Sequence, residues 1–188
     1  MILITVFLLI ALAISLPICI KTKNAVAEAV TITLGITLYH FAMRLAVGTV
    51  VNFIMKNRAD HKNIWFREKG FEGKFYRLIR VRKWKKYLPT YSPVTFDATQ
   101  KTVEEIIGAT CQAEIVHELI MALSLLPIAT IPIFGGAAAM IVTSVLALLF
   151  DSLFVMIQRF NRPKLIRVMG RFPKLKSGEG ITSKSNDN

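Results

Sequence analysis

The sequence predicts an all-α integral membrane protein of about four transmembrane helices, with a basic amphipathic cytoplasmic segment between helices two and three. Two observations lead there. The chain of 188 residues is 53% hydrophobic with a mean hydropathy of +0.49, yet it carries a formal net charge of +12 and a pI near 10.0. A charge at the centre of a bilayer costs at least about 2.5–3.5 kcal/mol, so the two properties fit one chain when apolar stretches lie in lipid and the charge collects outside it. The apolar residues also run continuously, where a half-buried soluble helix or strand would repeat them at a fixed period.

A span needs about 20 apolar residues to cross a hydrocarbon core roughly 30 Å thick. Residues 1–20 meet this without a charge. No basic region precedes them, and Lys21 and Lys23 are unlike a small-residue cleavage site, so the stretch reads as a retained first span and not a signal peptide. The second span covers about 28–55 and contains His40 and Arg44. The third covers about 106–134 and contains Glu114, His117 and Glu118. The fourth covers about 136–157, with Asp151 inside it, and Gly135-Gly136 forms a tight hairpin between spans three and four. These spans make a single membrane domain over 1–176, followed by a disordered tail over 177–188 rich in Gly, Ser, Lys and Asn.

Orientation follows from cations in the loops, which bias a loop to the cytoplasm. Lys56 to Lys101 holds 13 Lys and Arg, and Arg159 to Asn188 holds 8. Both segments inside gives a multi-pass protein of the cell membrane with both termini cytoplasmic; Lys21 and Lys23 then face outward, against the rule. The basic cytoplasmic loop, 56–105, interleaves aromatics with cations, as in Val81-Arg82-Lys83-Trp84-Lys85-Lys86-Tyr87. That pattern rests on an anionic leaflet with Trp and Tyr at headgroup level, and beside an active site its cations can hold the phosphates of coenzyme A or of a lipid head. Nucleic acid is not expected as a partner. Cys19 and Cys111 lack metal-ligand spacing and pack as small apolar residues, so no metal site and no bound cofactor are expected.

Ionisable groups at membrane depth are expensive and mark function or a polar network fixing helix register. His40 and Arg44 are four apart and Glu114 and His117 three apart, so each pair shares a helix face. His40, Arg44, Glu118 and Asp151 form the candidate network. A histidine with an adjacent carboxylate is the simplest general base, which makes His117 with Glu114, or Glu118 in its place, the candidate catalytic pair.

The order of motifs resembles the glycosyl-4,4'-diaponeurosporenoate acyltransferase family over about residues 60–167. The resemblance rests on Glu72-Gly73-Lys74-Phe75-Tyr76 leading into Val81-Arg82-Lys83-Trp84-Lys85, on Thr110-Cys111-Gln112-Ala113-Glu114-Ile115-Val116-His117, and on Gln158-Arg159-Phe160-Asn161-Arg162-Pro163-Lys164-Leu165. The chain looks like a divergent member, with Ala109, Gln112, Glu118, Asp151 and Leu153 where that family usually has Glu, Arg, an aromatic, Asn and Pro. The resemblance implies an O-acyltransferase with a role in carotenoid biosynthesis. It would move a fatty acyl group from acyl-coenzyme A or acyl-carrier protein to a hydroxyl of a lipid-linked or glycosylated isoprenoid. His117 and Glu114 would be catalytic, and Arg82, Trp84, Lys85, Gln158, Arg159, Asn161 and Arg162 would bind substrate or donor. The reading from another class is a non-enzymatic membrane protein, a lipid-binding, transport or proton-relay component or subunit, whose buried His and Glu carry protons.

Overall fold

The computed structural model describes residues 1–88 and 101–171. Of the expected loop over 56–105, residues 89–100 lie outside the described residues, as does the expected tail at 177–188. Every regular element among the described residues is helical, and four helical stretches are long and apolar enough to cross a membrane: Ile2–Thr22, Ala25–Met55, Val103–Phe134 and Ala137–Arg171. The chain is a multi-pass membrane protein of the predicted class.

Within the stretch read as one membrane domain, the chain gathers into two compact units. The first is Met1–Val51 with Val116–Ser152, and the second is Asn52–Ile115 with Leu153–Asn188.

In the first unit, α1 (Ile2–Thr22) turns most of its side chains outward, with Leu3 85% exposed, as lipid contact requires. Lys23 ends it in the left-handed conformation at φ 47°, its N–H reaching the Cys19 carbonyl at 2.9 Å. Asn24 then caps α2 (Ala25–Met55), its Oδ1 accepting the Val26 N–H at 2.9 Å, so this helix starts three residues before the expected 28. Span three is not the single helix expected. α5 (Val103–Leu123) stops at Leu123, and two single turns, α6 (Leu126–Ala129) and α7 (Ile131–Phe134), carry the chain on. Pro127 and Pro132 cause the break, since neither can donate the N–H that an uninterrupted helix needs. Gly135 and Gly136, at φ 69° and 64°, make the predicted hairpin. A Cβ on Gly136 would lie 2.7 Å from the Ile32 side chain, so glycine also allows close packing there.

The second unit holds the short elements of the basic segment. Asn63 caps a turn at Ile64–Phe66, followed by α3 (Glu72–Leu78) and α4 (Val81–Trp84). α3 buries Glu72 and Tyr76 and leaves Phe71, Phe75 and Leu78 outward, Leu78 at 79% exposure. α5 begins three residues before the expected 106, because Thr102 and Glu105 form a reciprocal cap: the Thr102 N–H donates to Glu105 Oε2 at 2.9 Å and the Glu105 N–H to Thr102 Oγ1 at 3.2 Å. Gly108 lets α5 touch the end of α2, since a Cβ there would stand 2.5 Å from the Asn57 carbonyl oxygen. α8 (Ala137–Arg171) runs on past the expected end at 157 and passes through Pro163. The bonds made by Arg159 and Arg162 hold the turn of α8 that leads into the proline.

Candidate active site

Two polar clusters form, one in each unit, and they divide the residues that the sequence grouped together. In the first unit the Arg44 guanidinium pairs with Asp151, whose other oxygen, Oδ1, lies 2.9 Å from His117 Nδ1. Asp151 is 1% exposed and His117 and Arg44 are half-buried. The carboxylate on His117 Nδ1 is thus Asp151, where the sequence pointed to Glu114 or Glu118; Glu118 lies half-buried on the same helix. The two partners are 34 positions apart, and no spacing rule reaches that far. A ring that donates its Nδ1–H to a carboxylate carries its lone pair on Nε2, the arrangement of an oriented general base, and the carboxylate stabilises the imidazolium formed on protonation. Arg44 fixes that carboxylate in turn. His40, one helical turn before Arg44, is 5% exposed and packs edge-on against Tyr39 at 5.5 Å between ring centroids. Tyr39 anchors its hydroxyl on the Leu123 carbonyl at 2.8 Å.

In the second unit Glu114, 0% exposed, presents one oxygen to Arg159 and the other to Arg162. Arg159 also donates from Nε to Glu72 Oε1 at 2.9 Å and from its terminal nitrogens to the Trp65 and Arg67 carbonyls. Arg162 donates from Nε to Thr110 Oγ1, from Nη1 to the Phe66 carbonyl and from Nη2 to the Thr110 carbonyl, each at 3.1 Å, and its guanidinium lies 5.0 Å from the centroid of the Phe66 ring. These arginines were expected to bind substrate or donor. Their donors instead tie α8 to α5 and to the Trp65–Arg67 backbone, with two buried carboxylates balancing two guanidinium charges.

A second face of the same unit gathers cations. Lys85 donates to Asn161 Oδ1 at 2.7 Å, so two residues expected to bind the donor do meet. Lys85 and Lys164 both lie over the Phe160 ring, at 5.1 and 3.3 Å from its centroid. Burial, and then the neighbouring charge of Arg82, lowers the proton affinity of Lys85, the signature of a cation crowded by other cations and partly withdrawn from water. Trp84 is half-buried and held by its indole N–H on the Ile79 carbonyl at 2.9 Å, Arg82 is exposed beside it, and Gln158 is half-buried on α8. Gln112 ties down the end of α2: its Oε1 accepts the Asn57 N–H at 2.6 Å and its Nε2 donates to Asn52 Oδ1 at 3.2 Å.

Sequence reasoning missed Glu72 and Thr110 as arginine partners, and Lys164. Glu72 carried a signal, an acid at the start of a helix within a run of cations; Thr110 carried none. Among the described residues no group of three His, Cys, Asp or Glu side chains is placed to hold a metal ion. The family model described as glycosyl-4,4'-diaponeurosporenoate acyltransferase matches residues 62–171. No curated protein and no solved structure matches the chain.

Proposed function

Since the chain belongs to the glycosyl-4,4'-diaponeurosporenoate acyltransferase family, whose model covers more than half of it, we propose that it moves a fatty acyl group from a thioester donor to a hydroxyl of a lipid-linked or glycosylated isoprenoid acceptor. The observation that supports this most is the Arg44–Asp151–His117 chain, a general base with its orienting carboxylate inside a bundle of apolar helices.

In this mechanism His117 Nε2 takes the proton of the acceptor hydroxyl as its oxygen attacks the thioester carbonyl. The tetrahedral intermediate collapses, the ester forms, and the departing sulfur takes the proton back from the imidazolium. Asp151 acts through His117, and Arg44 through Asp151. General base catalysis of this kind contributes about 10²- to 10⁴-fold. In the second unit the cations Arg82, Lys85 and Lys164, with Asn161, hold the phosphates of a coenzyme A or carrier-protein donor. Glu114, Arg159, Arg162 and Glu72 are a clamp that builds this unit, not groups that touch substrate.

The cations of the second unit also support a cell-membrane orientation with both termini cytoplasmic. The outward Phe71, Phe75 and Leu78, set among Lys69, Lys74, Arg77 and Arg80, then lie at the level of anionic headgroups.

The test is purified protein in vesicles, given the lipids that co-purify with it and a labelled long-chain acyl-coenzyme A. Label is expected in a glycolipid or isoprenoid ester, and His117→Ala is expected to abolish its transfer. Full activity in His117→Ala refutes the mechanism. No transfer by the wild type from either a coenzyme A or a carrier-protein donor turns the evidence toward a binding or proton-relay protein.

A further inference from the structure

Three contacts set the register of the first unit. Arg44 meets Asp151, Tyr39 reaches the Leu123 carbonyl, and Ile32 packs against Gly136. Moving toward the N-terminus on α2 therefore moves toward the N-terminus on α8 and toward the C-terminus on α5, in each case from the His117–Asp151 layer toward the Gly135-Gly136 hairpin.

On that side of the charged layer α2 and α8 each carry one more buried polar side chain, and a third stands at Ser124, just past the end of α5, where its N–H still bonds the Ile120 carbonyl at 2.8 Å. His40 lies four residues from Arg44, Ser124 seven from His117 and Ser144 seven from Asp151. Spacings of four and seven return a side chain to nearly the same helix face, so these groups point where the charged ones point. At 1.5 Å per residue they stand about 6 to 10 Å from the charged layer along their helices. His40 is 5% exposed and Ser124 and Ser144 are 0% exposed. Both His40 ring nitrogens and both serine hydroxyls lack a hydrogen-bond partner among the described residues. A serine can turn its hydroxyl onto its own helix, but an imidazole cannot, and an unpaired polar group inside a membrane bundle costs several kcal/mol.

We propose that His40, Ser124 and Ser144 form a hydroxyl-binding layer for the head group of the acyl acceptor, a lipid head with several hydroxyls, one of which is presented to His117. This rests on the acyl-transfer reading and adds to it the groups that choose the acceptor. An imidazole has one donor and one acceptor nitrogen, and a serine hydroxyl is both at once, so the layer matches hydroxyls and not a charged head. His40 lies outside residues 62–171, which the family model matches, whereas Ser124 and Ser144 lie within them.

The probes are hexadecyl β-glucoside and hexadecanol, which share an alkyl chain and a hydroxyl but differ in head group. Two readouts apply: transfer of labelled palmitate from palmitoyl-coenzyme A, and retention of each probe by the intact protein in native mass spectrometry. The wild type is expected to prefer the glucoside in both. His40→Phe should lower the ratio of glucoside to hexadecanol by about tenfold, the size of one well-made hydrogen bond, and His40→Gln, which keeps a donor and an acceptor, should recover most of it. Ser124→Ala with Ser144→Ala should lower the ratio further. An unchanged ratio in His40→Phe, or no glucoside preference in the wild type, overturns the proposal. If the wild type transfers to neither probe from palmitoyl-coenzyme A or from a palmitoyl-carrier protein, the acyl-transfer reading fails, while the retention ratio still judges the layer: a preference lost in His40→Phe upholds hydroxyl binding and an unchanged one refutes it.

Discussion

The pair most open to a quantitative test is Arg44 with Asp151. Their side chains are 19% and 2% exposed, and hydrocarbon around the bundle offers no water to an orphaned charge. Removing one partner of such a pair costs about 3–5 kcal/mol because the other charge stays buried, whereas replacing both by apolar groups is often neutral. Asp151→Leu should therefore be strongly destabilised, and Arg44→Leu combined with Asp151→Leu should regain most of the loss. Taking about 2–4 °C per kcal/mol for a chain of this size, the single variant should melt roughly 6 to 20 °C below the wild type. The melt can be followed with a thiol-reactive dye in a Cys19→Ala background, where the remaining thiol, Cys111, is fully buried and reacts only on unfolding. Transfer activity should behave differently. Both variants leave His117 without its carboxylate, so both should lose about 10²- to 10⁴-fold in rate per folded molecule. A double variant that melts no higher than Asp151→Leu would refute the ion-pair account, and wild-type transfer by either would refute the assignment of Asp151 as the group that orients the base.

Other outcomes follow from single contacts. Glu114→Gln removes the charge between Arg159 and Arg162 and should cost about 3–5 kcal/mol, with transfer per folded molecule held within a few fold; melting and activity normalised to folded protein separate the two effects. Gly108→Ala drives a methyl into the Asn57 carbonyl oxygen and should cost about 1–3 kcal/mol, seen as a lower melting temperature, with Gly70→Ala, which meets open space, as the control. Burial foremost, and then the Glu72 carboxylate, pushes the Tyr76 phenol up to about 12. The fold therefore favours the neutral phenol. That contribution is complete below the ordinary phenol value of about pH 10 and is lost as the pH climbs through about 12. Phenolate absorbance should contain a component titrating near 12 that Tyr76→Phe removes, and a component of that size titrating near 10 would count against the burial of Tyr76.

Much of the architecture was legible because membrane spans are a local property. A run of some twenty apolar residues, two adjacent glycines and a surplus of cations can each be read without knowing what lies across the bundle, and helix positions and the hairpin followed from them. Span ends were less accurate where a side chain decided them: Asn24 and the Thr102–Glu105 cap start helices early, and Pro127 and Pro132 break one. The resemblance over the Glu114, His117 and Arg159–Leu165 blocks identified the family, since it depends only on the order of residues.

Pairing was not legible. Glu114 and His117 share a face of one helix, and spacing alone joined them as base and carboxylate. Across the bundle Glu114 meets two guanidinium groups, and His117 meets an aspartate from another helix that an arginine from a third holds in place. The sequence by itself determined which residues lie in lipid and which polar groups had to face inward, because the cost of a charge in hydrocarbon is paid residue by residue. Only the tertiary structure decided which of those inward groups touch, because a contact between helices depends on their register and rotation, which the helical period leaves free.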